Sequence, residues 1–148
     1  MTMLSVSKIR AGFVACALAA AAMASTSSAV AQSRALVVDV PFPFHNGSQI
    51  LPSGRYTVSM QTENVMLLRG TSESGYAITN QEQSVDTPET AKVTFRKYGD
   101  RYFLHGVWLS GSKFGRKCVK THAEKRFEIA ENAPAPSDVE LALNTLPR

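Results

Sequence analysis

His45, His105 and His122 are the chain's three histidines, and Cys118 lies four residues before the last of them. A Cys-x-x-x-His pair suits two kinds of chemistry. It supplies two of the three or four ligands that a zinc site needs, or a thiol beside an imidazole base for nucleophilic catalysis. The spacing alone carries neither. Thr121-x-x-Glu124 has the form of a capping box, which starts a helix after Cys118, so the thiol and His122 need not share a face. His45 stands beside a turn and His105 on a strand, and the three read as separate surface or half-buried imidazoles. No catalytic, cofactor-binding or metal-ligating set is assigned, and no cofactor is expected.

Recognition is the other chemistry on offer. Lys113, Arg116, Lys117, Lys120, Lys125 and Arg126 crowd into one short stretch. A basic cluster of this kind fits an anionic surface, whether lipid headgroups or acidic polysaccharide. Glu124 and Glu128 interrupt it, which also fits a solvated helix face. Lys117, Lys120 and Arg126 are the candidate binding residues. Asp100 and Arg101 join them at a hairpin tip, where a rigid sheet presents side chains, though Gly99-Asp100 is also ordinary turn chemistry. Tyr98, Tyr102, Phe103 and Trp108 are either core or the wall of a groove for a sugar or peptide.

The elements that must position these residues read as strands. Leu36, Val38, Val40, Phe42 and Phe44 recur with a period of two, while Pro41 and Pro43 share the opposite parity. That pattern predicts an edge strand whose missing N–H groups face one side. Asn46-Gly47 and Leu51-Pro52-Ser53-Gly54 are turns, and Asn46-Gly47-Ser48 is also a glycosylation sequon. Tyr56, Val58 and Met60 share a face; Val65–Arg69 and Tyr76–Asn80 are further strands. Gln81–Thr90 is polar, contains Pro88 and reads as a long mobile loop.

Lys92–Leu109 carries the clearest pattern: two runs around Gly99-Asp100, a two-residue loop of type II′ with glycine first. That register pairs Tyr98 with Arg101, Phe95 with Leu104 and Val93 with Gly106. One face then holds Val93, Phe95, Tyr102, Leu104 and Trp108; Phe103 and Val107 lie on the other and need a cover. A helix near 122–130, with Ala123, Phe127 and Ala130 on one side, is the predicted cover. The tail 132–148 alternates at Val139, Leu141 and Leu143 and reads as a final strand over 139–143.

Residues 1–31 read as a cleaved signal peptide: Lys8 and Arg10, the apolar run Ala11–Met23, then the small-residue site Ala29-Val30-Ala31. The run is shorter than the roughly 20 residues that span a bilayer. Cys16 as a lipidation site would leave almost no apolar run after Arg10. The predicted location is periplasmic or secreted. With Lys8 and Arg10 removed, the net charge falls from the whole chain's +4 to +2. Cys118 is then the sole cysteine, so no internal disulfide forms; it pairs between chains or is a buried, inert thiol.

Four segments in order carry a resemblance. They are Val40-Pro41-Phe42-Pro43-Phe44; Leu51–Val58; Phe95-x-x-Tyr98-Gly99-Asp100-Arg101-Tyr102-Phe103-Leu104; and Val107-Trp108 with Gly115-Arg116. Together they resemble a group of short exported bacterial proteins that read VPFxF, LPAGEYxV, FxRYGDxYFLxxVW and GRxLxxSxAE along the chain. Ser53-Gly54-Arg55 departs from the group's Ala-Gly-Glu, and Cys118 stands where the group has Leu. The resemblance implies a small β-rich exported domain and assigns it no activity.

The expectation is therefore an all-β single domain over 32–131, a sandwich or partly closed barrel of about seven strands with one short helix on its C-terminal side. In function it reads as a non-enzymatic binding or interaction protein at the cell envelope, with an unidentified envelope partner or ligand and no nucleic acid. The alternative is a small barrel holding an apolar ligand in its interior, and a hydrolase ranks below both.

Overall fold

The computed structural model describes residues 35–130 and 134–145, so segment 1–31, which the sequence reading takes as a signal peptide, lies outside the described residues. Among those described, no helix is long and apolar enough to cross a membrane. The elements are β1 Leu36–Val40, β2 Phe44–Asn46, β3 Gln49–Leu51, β4 Gly54–Thr62, β5 Val65–Arg69 and β6 Ser74–Gln83. After them come β7 Lys92–Tyr98, β8 Arg101–Trp108, β9 Phe114–Cys118, α1 His122–Ile129, β10 Ser137–Ala142 and β11 Asn144–Thr145. The fold is all-β with one short helix, as the sequence predicts. Among the described residues it has eleven strands rather than about seven, because β2, β3, β9 and β11 are too short or too polar to show a period of two.

The strands run in the order β10-β7-β8-β9-β6-β5-β4-β1-β11, with the β2–β3 hairpin attached beside β8. Two features fold this sheet over on itself. β6 is shared: Ser74–Ile78 pairs with β5 and Thr79–Gln83 pairs with β9. At the other end β10 pairs with β7, the chain turns inward at buried Leu143, and β11 pairs with β1. The Leu143 N–H donates to the Ala91 carbonyl at 2.8 Å, which fixes that turn. The sheet stays open there, because the ladder on β7 stops before the ladder on β1 begins.

The proline-rich segment differs from its predicted role. β1 is not an edge strand at its start, since it pairs with β4 throughout and with β11 at Leu36 and Val37. Pro41 and Pro43 instead fall in the break between β1 and β2, where two missing donors and two fixed φ angles end the ladder. The break carries the chain from β4 on one layer to β8 on the other. Phe42, between the prolines, stacks on Tyr102 with ring centroids 3.7 Å apart.

The interior is filled by side chains. Phe44 meets Tyr56 and Phe95 edge-on, at 5.4 and 5.2 Å, and Phe42 meets Phe95 at 5.3 Å. Val38, Met66, Leu68 and Val93 close around this aromatic centre. Met60 has the inward parity of Tyr56 and Val58 yet lies exposed beside a bulge at Met60–Thr62. Asn46 is buried, and its two side-chain polar atoms find no partner, so the sequon is closed to glycosylation in the folded chain.

Gly99 sits at φ 59° and no other residue of its turn has a positive φ, which is the II′ form. The predicted register holds for Tyr98↔Arg101 and Phe95↔Leu104, then slips: Val93 faces Val107, not Gly106. His105 is the extra residue, bulged between Leu104 and Gly106. Beyond it every side chain changes face. Val107 joins the core, and Trp108 moves outside.

α1 covers the outer face of β7 and β8 near the hairpin tip, as predicted. Phe127 lies over Phe103 at 6.0 Å, and Phe103 also meets Tyr98 at 5.7 Å. The Thr121 hydroxyl accepts from the Glu124 N–H at 3.2 Å, capping the helix. The reciprocal half of the capping box is missing. Glu124 is the buried residue of the helix, and Tyr98 Oη donates to its carboxylate at 3.4 Å.

Candidate ligand-binding cleft

The outer face of β10, β7 and β8 that α1 leaves bare is a charged lattice built by parity. Residues that alternate with Val93 and Phe95 point to the opposite face. Lys92 and Arg96 are partly exposed there, while Thr94 between them is buried and its hydroxyl donates to the Gly106 carbonyl at 3.4 Å. On β10, Asp138 and Glu140 stand opposite Arg96 and Thr94. Arg96 Nε lies 3.6 Å from Asp138, and Lys92 Nζ lies 2.7 Å from Glu140. One strand further, Lys117 on β9 pairs with Glu82 on β6 at 2.9 Å.

His105 joins this lattice because of its bulge. Arg96 Nη2 lies 3.1 Å from His105 Nε2. A guanidinium only donates, so Nε2 accepts and the imidazole is neutral with its proton on Nδ1. Burial holds the His105 pKa below its ordinary 6.5, and the Arg96 charge adds to the effect. Protonation then favours the unfolded chain, so this contribution to stability is present above about pH 6.5 and is lost as pH falls below it. His105→Gln keeps an acceptor for Arg96 and removes the titration. Urea titrations at pH 7 and 5 are expected to show a larger loss for the parent than for the variant; equal losses would refute the assignment. Glu124, whose pKa burial raises, works in the opposite direction but does so in both proteins.

A cleft of about 280 Å³ opens beside His105, lined by Ser84, Asp86, Pro88, Lys92, Thr94, His105, Trp108, Asp138 and Glu140. Trp108 lies against Gly115 on β9, where a side chain of any size would overlap the indole's six-membered ring. Residues 84–91 form the rim. The sequence predicts a mobile loop over Gln81–Thr90, but β6 runs on to Gln83 and the rest is tethered. Ser84 N–H donates to Lys113, Gly111 N–H to Pro88 and the Ser110 hydroxyl to Glu89, at 2.7, 3.0 and 2.6 Å. These bonds tie the rim to the β8–β9 turn.

The residues singled out from sequence fall elsewhere. Lys117 is paired with Glu82, and Lys120 with Glu128 at 2.7 Å. Arg126 is exposed on α1. The Arg101 guanidinium lies 4.3 Å from the Phe127 ring, so the hairpin tip and the helix are joined, while Asp100 is exposed beside it. The structure thus sets Arg101 and Arg126 against or on α1 and leaves Lys117 on the neighbouring strand β9, opposite Gly106.

Cys118 packs against the core, away from the lattice. Burial pushes its thiol up to about 12. It is expected to react with iodoacetamide at pH 7.5 far more slowly in the native protein than in 6 M guanidinium, measured by mass spectrometry. Comparable rates would mean that the thiol is open. Among the described residues no group of three His, Cys, Asp or Glu converges as a metal site.

The sequence reading leaves Trp108 as core or as the wall of a groove, and its strict alternation sets the indole on the face of Leu104, away from this cleft. One signal for it was present: a glycine inside a strand often marks a bulge, and Gly106 follows His105 directly. Compared with protein-family models, with curated proteins and with solved structures, the chain matches none.

Proposed function

We propose that this chain is an exported, non-enzymatic binding protein of the cell envelope and that it holds its ligand in the Trp108 cleft. The leader-like segment 1–31 and the resemblance to short exported β-rich proteins support the location. The observation that carries the site is the placement of Trp108, the chain's one tryptophan. An indole laid on a glycine and partly open to water is poor core packing, and it makes a good platform inside a concave, partly polar pocket. Most of the cleft's charged groups are tied up in pairs, Lys92 with Glu140 and Asp138 with Arg96, which suits holding a ligand rather than transforming one.

A sole tryptophan also makes the test direct, since all indole emission comes from the site. Titration with the low-molecular-mass fraction of the envelope of the cell that makes the protein is expected to shift Trp108 emission saturably and to protect it from acrylamide. Unchanged emission and quenching would overturn the reading.

A further inference from the structure

We infer that the cleft takes an alkylammonium group, seated over the Trp108 indole and facing the carboxylates of Asp86 and Glu140. The inference rests on the cleft being a binding site, as proposed above, and names the chemistry of its ligand. Charge decides first. The lining holds three carboxylates, Asp86, Asp138 and Glu140, against one ammonium, Lys92. The cations within reach are already engaged, Lys92 by Glu140, Arg96 by Asp138 and His105, and Lys117 by Glu82. His105 is neutral because Nε2 accepts from Arg96, so it adds no positive charge.

An anionic ligand would meet a surplus of negative charge with no free cation to receive it. A neutral ligand would use the platform and leave the surplus unanswered. A cation answers it. Asp86 makes no ion pair among the described residues, and Glu140 accepts from Lys92 through Oε1 alone. Trp108 lines the same cleft, and an indole face attracts a cation within about 6 Å of its centroid. This local field is opposite in sign to the net charge of the chain, so the attraction belongs to the cleft and not to the protein as a whole.

Size decides next. At about 280 Å³ the cleft lies at the small end of ligand pockets. It admits one extended side chain or a small amine, with the alkyl stem along Pro88 and Trp108. A lysine of a polypeptide and a free diamine share this chemistry.

Trp108 emission would be followed in low salt with N-acetyl-lysine methylamide, its Nε-acetylated neutral counterpart, cadaverine and a neutral disaccharide. Saturation by the lysine derivative, with affinity about tenfold above its neutral counterpart and reduced by added salt, is the expected result. Asp86→Asn should weaken it several-fold while leaving the far-UV spectrum unchanged. Preference for the lysine derivative would assign the site to polypeptide, and preference for cadaverine to free amines. Equal binding of charged and neutral lysine derivatives would overturn the inference. Saturation by the disaccharide alone would overturn it too, yet leave the cleft a binding site. Silence from all four probes and from the envelope fraction would remove both.

Discussion

Phe95→Ala is expected to remove about 3–5 kcal/mol of folding stability, the range for truncating a fully buried aromatic side chain. Phe95 has no exposed surface and stands in mid-strand on β7, hydrogen-bonded to β8 on one side and β10 on the other. Its ring receives Phe42 and Phe44 edge-on from the β1–β2 segment. Those two rings have little room to follow it inward, since prolines flank Phe42 and Phe44 is itself paired into the β2–β3 hairpin. The site therefore keeps most of its cavity, which places the loss toward the top of the range. Domains of this size are stable by about 5–15 kcal/mol, so a third or more of the total would go. Urea denaturation at pH 7 is expected to show a lower midpoint with an unchanged slope. Phe114→Ala, on a side chain 51% exposed, should stay within about 0.5 kcal/mol of the parent. A loss below about 1 kcal/mol for Phe95 would mean that the layers are not packed at their centre.

That aromatic centre was legible in the sequence because period two and a glycine turn are local signals. Phe95 and Leu104 each lie four residues from the ends of an unmistakable hairpin loop, close enough for its register to reach them. The helix was legible for the same reason, its cap and first turn lying within four residues. Layer crossing was not. Two prolines in a strand-like run are compatible with an edge and with a break. Only the long-range pairing of Val38 with Tyr56 and of His45 with Phe103 decides for the break. β11, two residues long, has no pattern to detect.

The cleft was lost at a single residue. Counting outward from the hairpin with strict alternation puts Trp108 on the face of Leu104. One bulged residue at His105 moves it to the face of Lys92 and Arg96, together with everything beyond it. The carboxylates were equally hidden, since Asp86, Asp138 and Glu140 come from a loop and a tail far from β8 in sequence. Lys117, Lys120, Arg126, Asp100 and Arg101 drew notice because charge clustering is visible along a chain. Pairing across strands, which neutralises Lys117 with Glu82, is not.

Gly115→Ala tests the architecture of the cleft at its narrowest point. Gly115 is buried between β6 and β8, opposite Glu82 on one and Trp108 on the other. An added methyl group overlaps the Trp108 ring. Ladders on both sides hold the β9 backbone, so the indole has to yield, and the open direction is into the cleft. Overpacking of this kind costs about 1–3 kcal/mol, and the displaced ring would fill the space a ligand needs. The variant is therefore expected to unfold at lower urea and to lose its fluorescence response to ligand together. A double-mutant cycle separates this clash from any general intolerance of alanine at that position. In a Trp108→Leu background the ring is gone, and alanine relieves the conformational freedom of a glycine within a strand. Gly115→Ala should then be neutral or stabilising by up to about 0.5–1 kcal/mol. The same loss in both backgrounds would show that Gly115 serves the β9 backbone and that Trp108 does not depend on it.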